Sequence, residues 1–387
     1  MSYCKICGSW NCKKHTLLLG KAKPIEEFSG SSPPEIFVGK WNYPNVYTGI
    51  LSPTEHGNTN IMSSVEEWHK NKLQIPQILN LRNQLIYGRT QSNIKQLNTK
   101  FLSVMKEVAM THKSIGTEFK LEKPITKNRE QDNKVPLISH ATQVKSVRLE
   151  ENPKVKPKID YIVNDTDVKS AIAIKELYKS QIDNSLIIKI LSAGLLGMKK
   201  NRRLVPTRWS ITAVDDTLSK EMLKKIKTFQ EISEYKVFTA EYVGNHYEFL
   251  LIPRYWSFEV IEISMKGFGV WQDYESIFDR KTYAHDVTGA YYANRLALCE
   301  YLTKIQRQCS CLVFREVRPE YYAPLGVGIL RQTSREAFSQ KGKSFSTLNE
   351  SLVDIQTRLR LPISNWTSKS KLLKEKQTQK RLFEFVY

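Results

Sequence analysis

The chain has 387 residues, of which 41% are hydrophobic and 25% are charged, and these proportions are typical of globular proteins. Its 59 lysines and arginines outnumber its 39 aspartates and glutamates, which leaves a formal net charge of +20 at pH 7. Such an excess favours a polyanionic partner, because cations that neutralise phosphates release bound counterions. No apolar run is long enough to span a membrane and no signal peptide opens the chain, so we expect a cytoplasmic protein without a membrane partner.

The cysteine-rich start of the chain carries the first chemical signature. Cys4, Cys7, Cys12 and His15 have the spacing Cys-x2-Cys-x4-Cys-x2-His. Zinc binds four such ligands in a tetrahedron, and a site with four protein ligands is structural. The spacing therefore predicts a structural zinc ion in a small module of residues 1–30. A terminus with unrelated cysteines is the alternative.

Turn signals and periodicity predict the next elements. Residues 35–51 fit two strands joined by a turn at 43–45. Ser64, with Glu67 after it, is typical of a helix N-terminus, and residues 94–110 have a helical apolar period. Three aromatic residues of the first hairpin are candidates for stacking on bases, although aromatic residues in strands more often belong to a core. These residues are Trp41, Tyr43 and Tyr47.

Residues 120–158 are rich in proline and basic residues, which fits a basic linker or an arm along DNA. Helices are expected over residues 165–178 and in the segment that ends before Gly194, because glycine commonly stops a helix.

Residues 202–216, RRLVPTRWSITAVDD, combine three arginines and an indole with two adjacent carboxylates. Pro206 interrupts a helix and residues 210–214 alternate like a half-buried strand, so we predict a basic turn that leads into a strand. Arginine and indole side chains suit a phosphate chain and a stacked base. A salt-bridged strand end with a core tryptophan is the alternative. The DNA-binding candidates are Arg202, Arg203, Arg208 and Trp209.

The second half of the chain is expected to form hairpins followed by a helix and a strand. A basic helix is predicted over 219–229, and strands over 235–243, 246–253 and 258–264. A helix over 287–306 then precedes a strand over 309–317. This order predicts an α+β fold with a mixed, largely antiparallel sheet and flanking helices.

Four long motifs resemble those of the archaeal Nre family of DNA-repair proteins. Besides residues 202–216 they are YWSFE at 255–259, YAHDVTGA at 283–290 and FREVRPEYYAPLG at 314–326. The resemblance covers most of the chain and implies DNA repair in partnership with the sliding clamp, PCNA. It does not imply an agreed chemical reaction.

Titratable residues within these motifs are candidates for catalysis. Carboxylates and imidazoles that converge can hold Mg²⁺ or Mn²⁺ for phosphodiester cleavage, which makes a nuclease or another nucleotide-processing enzyme the alternative function. Ion pairing or helix capping by Asp286 would explain the same residues without chemistry. The catalytic candidates are Asp215, Asp216, His246, Glu248, His285 and Asp286, joined by Glu316.

The last nine residues, QKRLFEFVY, are similar to the clamp-interacting (PIP) motif Gln-x-x-aliphatic-x-x-aromatic-aromatic. One helical turn would place Leu382 beside Phe385 as a plug for a hydrophobic pocket, with Gln379 hydrogen-bonding at its rim. Phe383 and Val386 complete the set, and Val386 departs from the second aromatic. A segment that packs on its own domain is the alternative.

The predicted organisation has four parts. They are a zinc module (1–30), a helical and β region with a basic linker (31–160), an α+β core (161–364) and a flexible tail with the clamp motif (365–387).

Overall fold

The computed structural model describes residues 26–123, 135–138, 141–267 and 269–378. The zinc motif at 4–15 and the clamp motif at 379–387 lie outside these residues, so both stay predictions. The chain divides into two compact units, of which the first contains the chain up to Leu218 and Tyr322–Ile329. The second contains Ser219–Tyr321 and the chain from Leu330 onward. Among the described helices, none has the length and apolar character needed to cross a membrane.

The first unit is built on a six-stranded sheet with the order β1-β5-β6-β4-β3-β2. Its neighbours are antiparallel except for β4 and β6, which are parallel. Strands β2 and β3 form the hairpin predicted over residues 35–51. Strand β6 lies in the segment predicted as a linker, so that segment is partly ordered by the sheet. The strands are β1 (Glu27–Ser32), β2 (Ile36–Val38), β3 (Asn45–Ser52), β4 (Ile86–Asn93), β5 (Ile115–Leu121) and β6 (Ala141–Leu149).

Six of the described α-helices lie wholly within the first unit. The predicted cap of the first one is confirmed, because the Ser64 hydroxyl accepts a hydrogen bond of 3.2 Å from the amide of Glu67. The helix predicted from residue 94 begins six positions later, after the cap Thr99. The backbone of Ile94 is engaged with two other segments, which keeps it out of the helix. These helices are α1 (Val65–Lys70), α2 (Ile75–Asn83), α3 (Lys100–Met110), α4 (Pro157–Asn164), α5 (Ser170–Lys179) and α6 (Asn184–Ser192).

The second unit is built on another six-stranded sheet, with the order β10-β9-β11-β8-β7-β12. Only β9 and β11 are parallel among its paired neighbours. With the first sheet this confirms the predicted α+β class with mixed, largely antiparallel sheets. The strands are β7 (Tyr235–Tyr242), β8 (Asn245–Ile252), β9 (Ser257–Ser264), β10 (Val270–Glu275), β11 (Ser310–Val317) and β12 (Lys343–Phe345).

Helices cover both faces of the second sheet, which explains why every residue of β8 is buried. Phe249 and Leu251 belong to a core that includes Leu298 of the long helix α8. Leu250, between them on the opposite face, packs in a separate core with Trp366 near the C-terminus. The remaining helices are α7 (Thr207–Ile226), α8 (Gly289–Ile305), α9 (Val327–Ser339), α10 (Leu348–Gln356), α11 (Ser364–Thr367) and α12 (Lys371–Thr378).

The strand predicted over residues 210–214 is wrong, because this segment lies inside α7. The carbonyl of Pro206 accepts hydrogen bonds from the amides of Trp209 and Ser210, so the proline starts the helix rather than preventing one. Many of the side chains buried along α7 recur every three or four residues, as on one helix face. They include Ser210, Ile211, Val214, Asp215 and Leu218, and Thr207, Thr212, Ser219, Leu223 and Ile226 are buried as well.

In its described part, the tail predicted from residue 365 contains two helices, α11 and α12. Trp366 and Leu372 are buried at 0% and 1% exposure. The buried carboxylate of Glu259 on β9 accepts hydrogen bonds from the amides of Lys371 and Leu372, at 2.9 and 3.1 Å. A carboxylate stabilises a helix N-terminus, where backbone amides lack partners and the dipole is positive. Glu259 therefore fixes the start of α12.

We expect Leu372→Ala to lower the free energy of unfolding by about 2–5 kcal/mol, because it removes a buried side chain from this core. Val353→Ala is the matched control, since Val353 is 60% exposed and its loss should change stability by less than about 0.5 kcal/mol. Urea denaturation measures both. Equal stability of Leu372→Ala and the wild type would contradict the packing of α12.

Candidate nucleic-acid interface

A cavity of about 600 Å³ in the first unit is surrounded by positive charge. The segment before α3, α3 itself, the end of α6 and the loop before α7 form its walls. Among the residues that the structure describes, no aspartate or glutamate lines it. We call it the basic cavity, and its cationic residues are Lys95, Lys106, Lys199, Lys200, Arg202 and Arg203.

A glycine allows the cavity wall to fold. Gly194, just after α6, has φ +73, and a Cβ placed there would lie 2.8 Å from the carbonyl oxygen of Arg203. A larger residue would therefore push away the part of the loop that carries the arginines. Past this point the amide of Val205 donates to the carbonyl of Ser192, which closes the loop against the end of α6.

Arg202 holds the loop rather than reaching freely into solvent. Its Nε donates to the carbonyl of Gly197 at 2.8 Å, and one terminal nitrogen donates to the carbonyl of Asp165 at 3.0 Å. Burial lowers the pKa of Arg202, while the Asp165 carboxylate acts in the opposite direction. The residue thus adds positive charge to the cavity and also fixes its wall.

Lys106 is the second cation fixed in the wall. Its Nζ donates to the carbonyl of Leu97 at 2.7 Å. Burial and the neighbouring charge of Arg202 lower the pKa of Lys106. A lowered lysine pKa means that its charged form is disfavoured here, and a bound anion would relieve that cost. The wall therefore holds two fixed cations, Lys106 and Arg202, close enough for the charge of one to act on the other.

The other four cations of the cavity are exposed to solvent. They are Lys95, Lys199, Lys200 and Arg203, and Arg203 makes a long hydrogen bond of 3.5 Å from its Nε to the carbonyl of Asn201. Of the four predicted DNA-binding residues, Arg202 and Arg203 line the cavity. Arg208, in the first turn of α7, does not.

Trp209 is 44% exposed, so the alternative that placed it in a core does not hold. Its ring lies beside that of Tyr43, with 5.4 Å between ring centroids.

Four cationic residues of the cavity were missed by the sequence interpretation. Lys199 and Lys200 stand directly before the predicted arginines, so the run KKNRR was a visible signal. Lys95 and Lys106 are about a hundred residues away, and only the fold brings them to this loop.

In the second unit, two catalytic candidates lie together within a network of ion pairs. His246 Nε2 is 2.9 Å from Oε1 of Glu248, and its Nδ1 is 3.4 Å from Oε2 of Glu241. Arg358 binds both carboxylate oxygens of Glu248, at 2.8 and 2.9 Å. Glu248 is fully buried, so this bidentate pair neutralises its charge and joins β8 to the segment after α10.

Glu316 takes part in the same network. Its carboxylate accepts hydrogen bonds from the amides of Arg360 and Leu361, at 3.0 and 2.9 Å, and from Nε of Arg318 at 2.8 Å. Arg318 also donates to the carbonyl of Arg358 at 2.8 Å. These contacts hold the chain after α10 against the sheet, which is a structural role.

The other candidates lie elsewhere. His285 and Asp286 are exposed before α8, and Asp286 accepts a hydrogen bond of 2.5 Å from the amide of Gln272. The predicted cap is not formed by Asp286, because Thr288 is the N-cap of α8. On α7, in the first unit, Asp215 is fully buried and Asp216 is half-buried.

The predicted carboxylate and imidazole cluster is assembled only at His246 and Glu248. Within the described ranges, no group of three or more His, Cys, Asp or Glu side chains has a geometry that could hold a metal ion.

We predict that protonated His246 stabilises the second unit. Burial lowers the pKa of His246, but the ion-pair contact with Glu241 and the hydrogen bond with Glu248 together raise it by more, so the pKa lies above its ordinary value. The stabilisation is complete below the unfolded-state pKa of about 6.5 and is lost as the pH rises through the higher folded-state pKa. Urea denaturation of the wild type should show this loss, and His246→Gln should remove it. An imidazole that titrates in NMR below about 6.5 would contradict the network.

Comparison with known proteins places the whole chain in one family. The archaeal Nre N-terminal family matches residues 1–272, and the archaeal Nre C-terminal family matches residues 275–385. The DNA repair protein NreB of Archaeoglobus fulgidus is 33% identical over 389 residues, which cover 98% of this chain and 97% of that protein. The DNA repair protein NreA of Haloferax volcanii is 32% identical over 374 residues, covering 92% and 88%. No solved structure is significantly similar. The chain belongs to the archaeal Nre family.

Proposed function

We propose that this protein is a DNA-repair factor that binds DNA through the basic cavity and is recruited to a sliding clamp by residues 379–387. One observation carries the DNA-binding part: six cationic residues line the cavity, and no acidic residue lines it in the described part of the chain. Surface charges on proteins are usually mixed in sign, so a concave surface of one sign focuses a strong field on an oppositely charged ligand.

The two kinds of cation have different tasks in this proposal. Arg202 and Lys106 are tied to backbone carbonyls and provide a fixed positive background. Lys199, Lys200 and Arg203 are exposed and contact phosphates directly. Arginine grips phosphate oxygens with two parallel hydrogen bonds, and lysine adds a mobile point charge.

Two further observations favour DNA over a small anion. The net charge of +20 extends well beyond the six residues of the cavity, as expected for a protein that follows a long polyanion. The relatives in Archaeoglobus fulgidus and Haloferax volcanii are both named DNA repair proteins, which supports a repair role here. The proposal includes no catalytic step, because the buried candidates His246, Glu248 and Glu316 are engaged in the ion-pair network.

We expect Lys200→Ala with Arg203→Ala to weaken DNA binding and to reduce its salt dependence. Each lost phosphate contact should lower the slope of log affinity against log salt by about 0.9 on duplex DNA. Fluorescence anisotropy at several salt concentrations gives both quantities. Arg202 is left unchanged, since its removal would also disturb the loop.

The matched control is Lys281→Ala with Lys341→Ala, which removes the same charge from exposed positions of the second unit. It should leave the salt slope within about 0.3 of the wild-type value, far less than the change expected from two lost contacts. Equal slopes and affinities for the wild type and the cavity variant would refute the proposed interface.

Recruitment to the clamp rests on the sequence after α12. Buried Leu372 and Leu373 hold that helix in the second unit, and the motif begins at Gln379, directly after it. We propose that Leu382 and Phe385 enter a hydrophobic pocket of the clamp, with Phe383 and Val386 packing beside it and Gln379 hydrogen-bonding at its rim. The helix would thus anchor the clamp-binding segment to the folded unit.

We expect Leu382→Ala with Phe385→Ala to weaken clamp binding by about 100-fold or more, because buried apolar anchors carry most of the energy of such contacts. The measurement is isothermal titration of purified clamp with the full chain. Lys380→Ala with Glu384→Ala, at two of the unspecified (x) positions of the motif, should bind clamp nearly normally. Undiminished affinity of the Leu382 and Phe385 variant would exclude the motif as the binding site.

A further inference from the structure

Three large aromatic side chains are exposed on the first unit, two in the turn between β2 and β3 and one at the start of α7. Trp41 and Tyr43, in the turn between β2 and β3, are 70% and 46% exposed. Trp209, in the first turn of α7, is 44% exposed and contacts Tyr43 with ring planes inclined by 53°. We call these three residues the aromatic patch. Large exposed aromatic groups in one place are typical of a binding surface.

The patch is held in place by the elements that carry it. The amide of Val38 at the end of β2 donates to the hydroxyl of Thr207, the first residue of α7, at 2.9 Å. This bond ties the hairpin to the helix and places Tyr43 against Trp209. Aromatic side chains fixed in this way lose little conformational entropy when a flat group stacks on them.

Two backbone hydrogen bonds join the patch to the basic cavity. The carbonyl of Pro44, next to Tyr43, accepts from the amide of Ile94 at 3.0 Å. The carbonyl of Ile94 accepts in turn from the amide of Leu204 at 2.9 Å. Ile94 precedes Lys95 and Leu204 follows Arg203, and both of those cations line the cavity. The aromatic patch therefore adjoins the wall of the cavity.

Positive charge also reaches the patch itself. The Nζ of Lys40 lies 4.2 Å from the centroid of the Trp41 ring. A cation over an indole is attracted to its π face, and the pair offers charge and a flat apolar surface together. A ligand that binds both the basic cavity and the aromatic patch must carry a chain of negative charges together with flat aromatic groups. An unpaired nucleic-acid strand has this chemistry.

We propose that the aromatic patch stacks with unpaired bases of a DNA strand whose phosphates occupy the basic cavity. This inference rests on the proposed DNA binding and names its substrate class: single-stranded DNA, or the unpaired part of a partly duplex DNA. Bases inside a duplex stack on their neighbours, so their faces are not available to a protein surface. Stacking also tolerates any base, so the patch selects strand state rather than sequence.

The test compares Trp41→Ala and Trp209→Ala, singly and together, with the wild-type full chain. Affinities for a labelled oligo-dT strand and for a duplex of equal length are measured by anisotropy at several salt concentrations. Each substitution should weaken single-strand binding on the order of 10-fold, because one stacked base is lost. Duplex affinity and the salt slope should stay unchanged, since stacking releases no counterions. Trp41→Phe should retain most of the affinity.

Phe278→Ala is the matched control, because Phe278 is 80% exposed in the second unit. Its substitution should alter neither affinity, and circular dichroism checks that every variant is folded. Single-strand binding that survives the double tryptophan substitution overturns the inference, and so does an equal loss on duplex. If the tryptophan variants bind normally but the variant with Lys200→Ala and Arg203→Ala has a lower DNA affinity, the proposed DNA binding stands without the patch. If neither set of substitutions has an effect, both proposals fail.

Discussion

Like charges repel one another, and at the basic cavity of the first unit hydrogen bonds to backbone carbonyls hold two of the cations in place. Arg202 and Lys106 are held by carbonyl groups rather than by carboxylates, so their charge remains available to a ligand. Gly194 allows the loop to approach closely enough for this arrangement. We propose the basic cavity as a binding surface because a bound phosphate would reduce the repulsion between these cations. None of the described residues that line the cavity is acidic.

In the second unit, unlike the basic cavity, buried negative charges have partners that neutralise or hydrogen-bond them. Its buried carboxylates are each matched by arginine or by backbone amides, as in the pairing of Glu248 with Arg358 and of Glu259 with the start of α12. Buried charges are tolerated when they are paired and hydrogen-bonded, and removing one partner is costly. Family motifs that look catalytic in the sequence, such as the one containing Glu316, thus join strands to later helices. The basic cavity belongs to the first unit and these paired carboxylates belong to the second.

Four of the six described strands of the second unit, β7, β8, β9 and β11, were predicted closely, because hairpin turns and apolar runs are local signals. Strands β10 and β12 were not predicted. The strand predicted over residues 210–214 was wrong. These residues alternate between polar and apolar types, as in a strand, but they lie inside the helix α7. Two of the six cations of the basic cavity were predicted. The run KKNRR is visible in the sequence, but Lys95 and Lys106 reach the cavity only through the tertiary fold. Exposure of Trp41 depends on tertiary packing, so a strand-like aromatic segment could not reveal it.

We propose that DNA phosphates occupy the basic cavity, and a crystal structure of the full chain with a short single-stranded oligonucleotide is the most direct test. We expect phosphate oxygens within hydrogen-bond distance of Lys199, Lys200 and Arg203, with a base on the ring of Trp41 or Trp209. An oligonucleotide bound to another surface, with these cations facing solvent, would contradict it.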